Sequence, residues 1–257
     1  MRVLFIGDIV GRPGRRVCAA QVPALRKHYG VDLVVANAEN AAGGFGLTGA
    51  VAEELLGYGI DCLTTGNHVF AQKDFEQFLA ECDRVLRPAN YPPGTPGNGY
   101  GVFPAGGARV AVLNLNGVVF MAPLDCPFRT ADALLDELRE QTPIIIVDFH
   151  AEATAEKAAF AYFVDGRCSA VIGTHTHVQT ADERILAGGT GFITDVGMTG
   201  PEDSVIGMKH KIVVERFVTK MPRRFEVAAG PGVINAALLD IDEDTGRCQA
   251  IERLRVQ

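Results

Sequence analysis

Apolar residues in this chain gather in short unbroken runs that stop at polar ones. RVLFIG (2–7), DLVVANAEN (32–40), IDCLTTGNHVF (60–70), PIIIVDFHAE (143–152) and SAVIGTHTHVQ (169–179) each open on such a run and predict a buried strand, because alternation is missing where the run is apolar. RVAVLNLNG (109–117) and TGFITDVGMTG (190–200) predict two further strands, the latter entering a glycine-rich turn. Between them lie helical patterns: 15–30, stopped at Gly30 and open to a kink at Pro23; 48–59, with Thr48 as N-cap and Gly59 near its end; and a stretch around 130–141. ANYPPGTPGNGYG (89–101) predicts a surface loop or linker. Towards the C-terminus, HKIVVERFVTK and VINAALLDIDEDTGRCQAIERLRV mix apolar and polar residues, which predicts antiparallel edge strands joined by a turn at DEDTG. The alternation of strands and helices gives an α/β class. No repeat, biased tract or boundary divides the chain, so residues 1–257 are expected to form a single domain.

Five of the runs end alike. Asp8 closes one, Glu39 with Asn40 the next, Asn67 with His68 the third, His150 the fourth, and His175 with His177 the fifth. One such ending is ordinary, since Asp and Asn form turns and caps. A lone histidine is equally at home in a core. Five endings together form a pattern, because ligands of open α/β sheets bind beyond the carboxyl ends of the strands, where residues remote in sequence converge. Carboxylate oxygens with imidazole nitrogens suit Mn, Fe or Zn, and thiols are absent from these positions. Seven candidates besides His68 suffice for two ions sharing a bridging carboxylate, an arrangement that clamps a phosphate and bridges a hydroxide for in-line attack. GDIVGRPG has glycines at 7, 11 and 14 and does not fit G-x-G-x-x-G, so a dinucleotide site is not indicated.

Composition narrows the partners. The net charge of −7 argues against general DNA binding, which needs a basic surface, but leaves room for a small phosphate ester drawn in by metal charge. Six cysteines lie scattered without CxxC spacing, as expected of reduced thiols in a cytoplasmic protein. No apolar run is long enough for a membrane span. Edge strands near the C-terminus make a homo-oligomer plausible.

GNH (66–68), FH (149–150) and GTHTH (173–177) make the chain resemble the calcineurin-like metallophosphoesterases. It departs from their usual pattern at Val10, where a histidine would stand, and at Glu39, in place of an aspartate. GDIVGRPGR, NAENAAGGFGLT, TTGNHVF, HAEATAEK, GTHTHVQTADERIL and TDVGMTGPEDSVIG together resemble one bacterial branch of that superfamily, phosphodiesterases acting on 2′,3′-cyclic nucleotides, over most of the chain. The resemblance implies a four-layer α/β/β/α sandwich of two mixed sheets. It implies two metal ions, iron first with Mn or Zn as alternatives: one held by Asp8, Glu39, Asn40 and His177, the other by Glu39, Asn67, His150 and His175. His68, directly after Asn67, can face the site without being a ligand and is the candidate catalytic general acid for the leaving ribose oxygen. The segment 194–210 is expected to be a loop close to the site; Lys209, His210 and Arg12 are either phosphate or base contacts or solvated charges.

Three other functions use the same residues. A phosphomonoesterase or nucleotidase needs almost the same ligands and differs in pocket shape. A metal-dependent amidohydrolase fits less well, because its H-x-H normally lies on an early strand. A nucleotide- or RNA-binding regulatory protein with little turnover is the alternative outside enzymology, and it leaves His68 without a task.

Overall fold

The computed structural model describes residues 1–73 and 75–257. Its first half holds β1 (Arg2–Ile6), β2 (Asp8–Ile9), α1 (Gly11–Tyr29), β3 (Leu33–Asn37), α2 (Gly49–Gly57), β4 (Cys62–Thr64), α3 (Phe75–Glu81), β5 (Val85–Leu86), β6 (Tyr100–Ala105) and β7 (Ala108–Asn116). The second half adds α4 (Pro127–Arg139), β8 (Ile145–His150), α5 (Thr154–Phe163), β9 (Ala170–Thr174), β10 (Arg184–Ile185), β11 (Gly191–Ile193), β12 (Met198–Pro201), α6 (His210–Thr219), β13 (Gly232–Ile241) and β14 (Cys248–Val256).

The strands form two mixed sheets. The first runs β2-β12-β13-β1-β3-β4-β5, with β14 on the other edge of β13; the second runs β10-β11-β9-β8-β7-β6. Within them β1, β3, β4 and β5 are parallel, as are β7, β8, β9 and β11. Alternation along β1 shows how the layers stack. Val3 and Phe5 point into a core shared with Val112, Ile146 and Ile172 of the second sheet, whereas Leu4 and Ile6 pack with Val17, Val22 and Leu55 of the helices α1 and α2. On the far side Val147, Phe149 and Val171 pack under Leu135 of α4 and Phe160 of α5. Every strand residue in this description is fully buried, and each such side chain contributes about 1.5–3 kcal/mol. Helices, sheet, sheet and helices therefore make the four-layer sandwich that the resemblance implied.

The parallel strands lie where the apolar runs predict them, though most are shorter than their runs, with polar residues such as Glu39, Asn67 and His177 falling in the loops that follow. α1 begins at Gly11 rather than near Arg15. Pro13 sits in its first turn, where a missing N–H costs no hydrogen bond, and the helix stays unbroken past the exposed Pro23. Helices α3 and α5 add to those the sequence predicted. The expectation for HKIVVERFVTK is overturned: residues 210–219 form α6, with β-branched residues on a helix that buries only Val213. Likewise β13 is an interior strand, paired with β1, β12 and β14, so of these two C-terminal strands β14 alone is an edge. Exposed Glu252 and Arg255 on β14 discourage pairing with another chain.

Candidate metal centre

The carboxyl ends of β1, β3 and β4 from one sheet and of β8 and β9 from the other face a common point. All seven predicted ligand residues and His68 surround it. His150 is its hub: Nε2 lies 3.0 Å from His175 Nδ1, 3.1 Å from Asn67 Oδ1 and 3.1 Å from Glu39 Oε1. Donors at right angles around an ion about 2.1 Å away sit about 3.0 Å apart, so this spacing suits neighbouring ligands. Glu39, His150 and His175 place one donor atom each within 4.8 Å of one another. Asp8 and His177 flank them, with Asp8 Oδ1 3.8 Å from His177 Nε2 and 3.7 Å from His150 Nδ1. Asn40 joins the halves: its Nδ2 lies 3.2 Å from both Glu39 Oε1 and His177 Nε2, and its Oδ1 faces His68 Nδ1 at 3.1 Å. Only an amide oxygen ligates a cation, so coordination by Asn40 beside His177 requires a half-turn of its amide.

The residues fit metal ions on their own evidence. Asp8 Oδ1 is buried and has no hydrogen-bond partner among the described residues, a costly state for a carboxylate that a cation relieves. Burial, helped by Asp195 and Glu39, raises the Asp8 pKa against the pull of His177 and His150. For Glu39 burial acts upwards too, but His150 and His68 outweigh it and hold the carboxyl well below the usual range. His150 shows the counterpart: burial acts downwards, yet Glu39, Asp8 and Asp148 push it up to about 9. His175 is pushed down to about 3 by burial and by the charge of His150. Carboxylates thus focus negative potential on the point where the imidazoles converge, which is what a metal cation exploits.

Close backbone approach makes this convergence possible. A Cβ on Gly66 would lie 2.3 Å from His150 Nε2 and 2.5 Å from Glu39 Oε2. The glycine of GNH therefore leaves room for the ligands themselves.

Each imidazole has an orienting partner. Thr174 Oγ1 meets His150 Nδ1 at 2.9 Å and donates to Asp148 at 2.7 Å; Glu152 meets His175 Nε2 at 3.1 Å; the Ile206 carbonyl meets His177 Nδ1 at 3.0 Å. Such partners fix which ring nitrogen faces an ion. His175 and His177 both have positive φ, 95° and 66°, a strained backbone for residues with a Cβ. Asp195 stabilises that turn. Its Oδ2 accepts from Thr176 N at 3.0 Å and Thr176 Oγ1 at 2.7 Å, and pairs at 2.7 Å with Lys157 Nζ, both side chains fully buried.

Sequence reasoning missed Asp148, Glu152, Lys157 and Asp195. HAEATAEK and TDVG stood out as motifs, yet nothing in their spacing says that a lysine and an aspartate meet under a turn on a third segment. Of the three candidate contacts outside the ligand set, Lys209 is engaged by Glu226 at 2.5 Å, and His210 lies on the outer side of α6 beside Val214 and Val218. Arg12 lines a neighbouring concavity.

A cavity of about 570 Å³ opens over the ligands. Glu39, Asn40, His175 and His177 give it polar lining, and Ile206, Met208 and Phe217 apolar lining. His68 also lines it, its ring packed on Phe45 with centroids 4.1 Å apart.

Comparison with known proteins places the chain in a family. Residues 4–254 match the sequence pattern of the family described as YmdB-like protein. A 2′,3′-cyclic-nucleotide 2′-phosphodiesterase of Bacillus subtilis (strain 168) is 48% identical over 256 residues, covering 100% of this chain and 97% of the relative. A crystal structure of a hypothetical protein from Thermus thermophilus superposes with a TM-score of 0.93 at 44% identity, covering 99% of this chain and 98% of that one. A Mycoplasma pneumoniae protein described as a novel phosphatase gives the same TM-score, 0.93, at 34% identity, covering 100% of this chain and 93% of that one.

Proposed function

The chain belongs to the YmdB-like protein family and is a hydrolase of phosphoric diesters; we propose that its substrates are cyclic nucleotides, with the 2′,3′-cyclic phosphate preferred. The observation that carries this reading is the mixed lining of the cavity, in which metal-type ligands suit a phosphate and apolar side chains suit a nucleobase. Asp8, Glu39, Asn40 and His177 would hold one ion and Glu39, Asn67, His150 and His175 the other, with Glu39 shared. Iron suits this mixed set of carboxylate, amide and imidazole donors, as do Mn and Zn. Bound there, the ions would supply positive charge to the phosphate oxygens and acidify water.

The protein's own groups do the rest. The apolar wall around Phe217 orients the base and excludes water. His68 is the general acid: Phe45 packs on its ring, and it delivers a proton to the ribose oxygen that leaves phosphorus. That oxygen is a poor leaving group unless protonated, which is where an acid helps most. All six cysteines are free thiols, which suits the cytoplasm as the proposed compartment. Among the described residues no helix is long and apolar enough to cross a membrane.

Turnover of 2′,3′-cyclic AMP, 3′,5′-cyclic AMP, 3′-AMP and bis-p-nitrophenyl phosphate by metal-loaded protein tests the assignment. The expected order places 2′,3′-cyclic AMP first. His68→Ala should lower its turnover about 10²–10⁴-fold, the usual contribution of a general acid, and hardly affect the ester with a p-nitrophenolate leaving group. Faster turnover of 3′-AMP would make the protein a monoesterase, and an equal loss on both diesters would remove His68 from the acid's role.

A further inference from the structure

The metal cavity adjoins a second concavity of about 650 Å³. Phe225 lines both, and of two consecutive glycines Gly43 lines the second space and Gly44 the first. The start of α1 forms one side of the second concavity. Gly11 N at that start donates to the carbonyl of Asn40 at 2.9 Å, so this space begins one residue's backbone away from a candidate ligand.

Three guanidinium groups line it: Arg12 and Arg16 on α1, and Arg224 on the segment after α6. Neighbouring cations are matched by carboxylates, Arg15 by Glu54 at 3.1 Å, Lys209 by Glu226 at 2.5 Å and Arg223 by Glu215 at 2.5 Å. Among the described residues Arg12, Arg16 and Arg224 form no ion pair; Glu226, the carboxylate in the lining, pairs with Lys209 and lies within the field of Arg224. The first turn of α1 carries no acidic residue to offset them, and its helix dipole adds to their charge. In a chain of net charge −7 this is a local reversal of sign. Guanidinium forks match phosphate oxygens in shape and charge.

The chemistry of the substrate says which phosphate that is. A 2′,3′-cyclic phosphate occupies both the 2′ and 3′ oxygens, so a second phosphate on the same nucleoside can only sit on the 5′ oxygen. A cyclic mononucleotide has none and would leave the arginines unused. We propose that the concavity is a subsite for this second phosphate, and that the substrate is an oligonucleotide ending in a 2′,3′-cyclic phosphate whose next phosphodiester is held by Arg12, Arg16 and Arg224. The proposal rests on the cyclic-phosphodiesterase reading and extends it.

The test compares kcat/KM of metal-loaded protein on an adenylyl dinucleotide ending in 2′,3′-cyclic phosphate, on 2′,3′-cyclic AMP, and on 2′,3′-cyclic AMP carrying a 5′-phosphate. The dinucleotide should exceed the mononucleotide by about tenfold or more, and R16Q/R224Q should lose most of that advantage while turning over 2′,3′-cyclic AMP as the wild type does. Both arginines are exposed, so the variant should fold normally. Equal values for dinucleotide and mononucleotide, or an advantage that survives R16Q/R224Q, would overturn the subsite. An advantage confined to the 5′-phosphorylated mononucleotide would overturn the oligonucleotide assignment. If no cyclic substrate is hydrolysed, the underlying reading fails separately. Binding of a short oligonucleotide with a 3′-phosphate then decides on the subsite alone: about tenfold weaker binding to R16Q/R224Q supports it, and equal binding refutes it.

Discussion

His175 and His177 sit at positive φ, each at a cost of order 1–3 kcal/mol, and the Asp195 carboxylate stabilises the turn by binding Thr176 between them. Removing it leaves the Lys157 ammonium buried without a counter-ion. Asp195→Ala should therefore destabilise the protein by about 3–5 kcal/mol, read from urea denaturation. Pairing it with Lys157→Met removes the stranded charge and should recover much of that stability. Metal content should stay low in the double variant, because Thr176 has still lost its anchor. Full metal loading would show that the turn holds itself. This is also where reading the sequence stopped. The candidate ligands were legible because Asp, Glu, Asn and His at the ends of apolar runs announce their chemistry. Asp195, Asp148 and Lys157 were not, since each looks like an ordinary polar residue until the fold brings its partner from a remote segment.

The parallel strands are the elements that the sequence reveals best, because burial on both faces leaves an unbroken apolar run, and the resemblance added how they stack into two sheets. α6 reads wrongly for a physical reason: Ile212, Val213, Val214, Phe217 and Val218 are strand-favouring residues on a helix that rests on the cavity instead of completing a core. Only one of its residues is buried, so no clean apolar stripe marks its period. Val214, Phe217 and Val218 are left exposed, and Phe217 faces the cavity. Phe217→Ser should accordingly change stability by no more than about 0.5 kcal/mol. It should raise KM for 2′,3′-cyclic AMP several-fold with kcat nearly unchanged, the signature of lost uniform binding. An unaltered KM would place the base elsewhere.

The sandwich as a whole explains why ligands spread from residue 8 to residue 177 meet. Two sheets packed face to face align the carboxyl ends of β1, β3 and β4 with those of β8 and β9, and loops too short to wander carry the side chains to one point. Glu39 occupies the middle, within hydrogen-bonding reach of His150 on one side and of Asn40 on the other, and in the proposed centre a shared carboxylate there would let seven residues serve two ions. The decisive measurement is elemental analysis of purified wild-type protein and of Glu39→Ala after both are loaded with iron or manganese and dialysed. About two ions per chain in the wild type, and fewer than one in Glu39→Ala with the thermal transition still cooperative, is the predicted result. A single ion in the wild type, or two ions kept by Glu39→Ala, would contradict the two-metal centre bridged by Glu39.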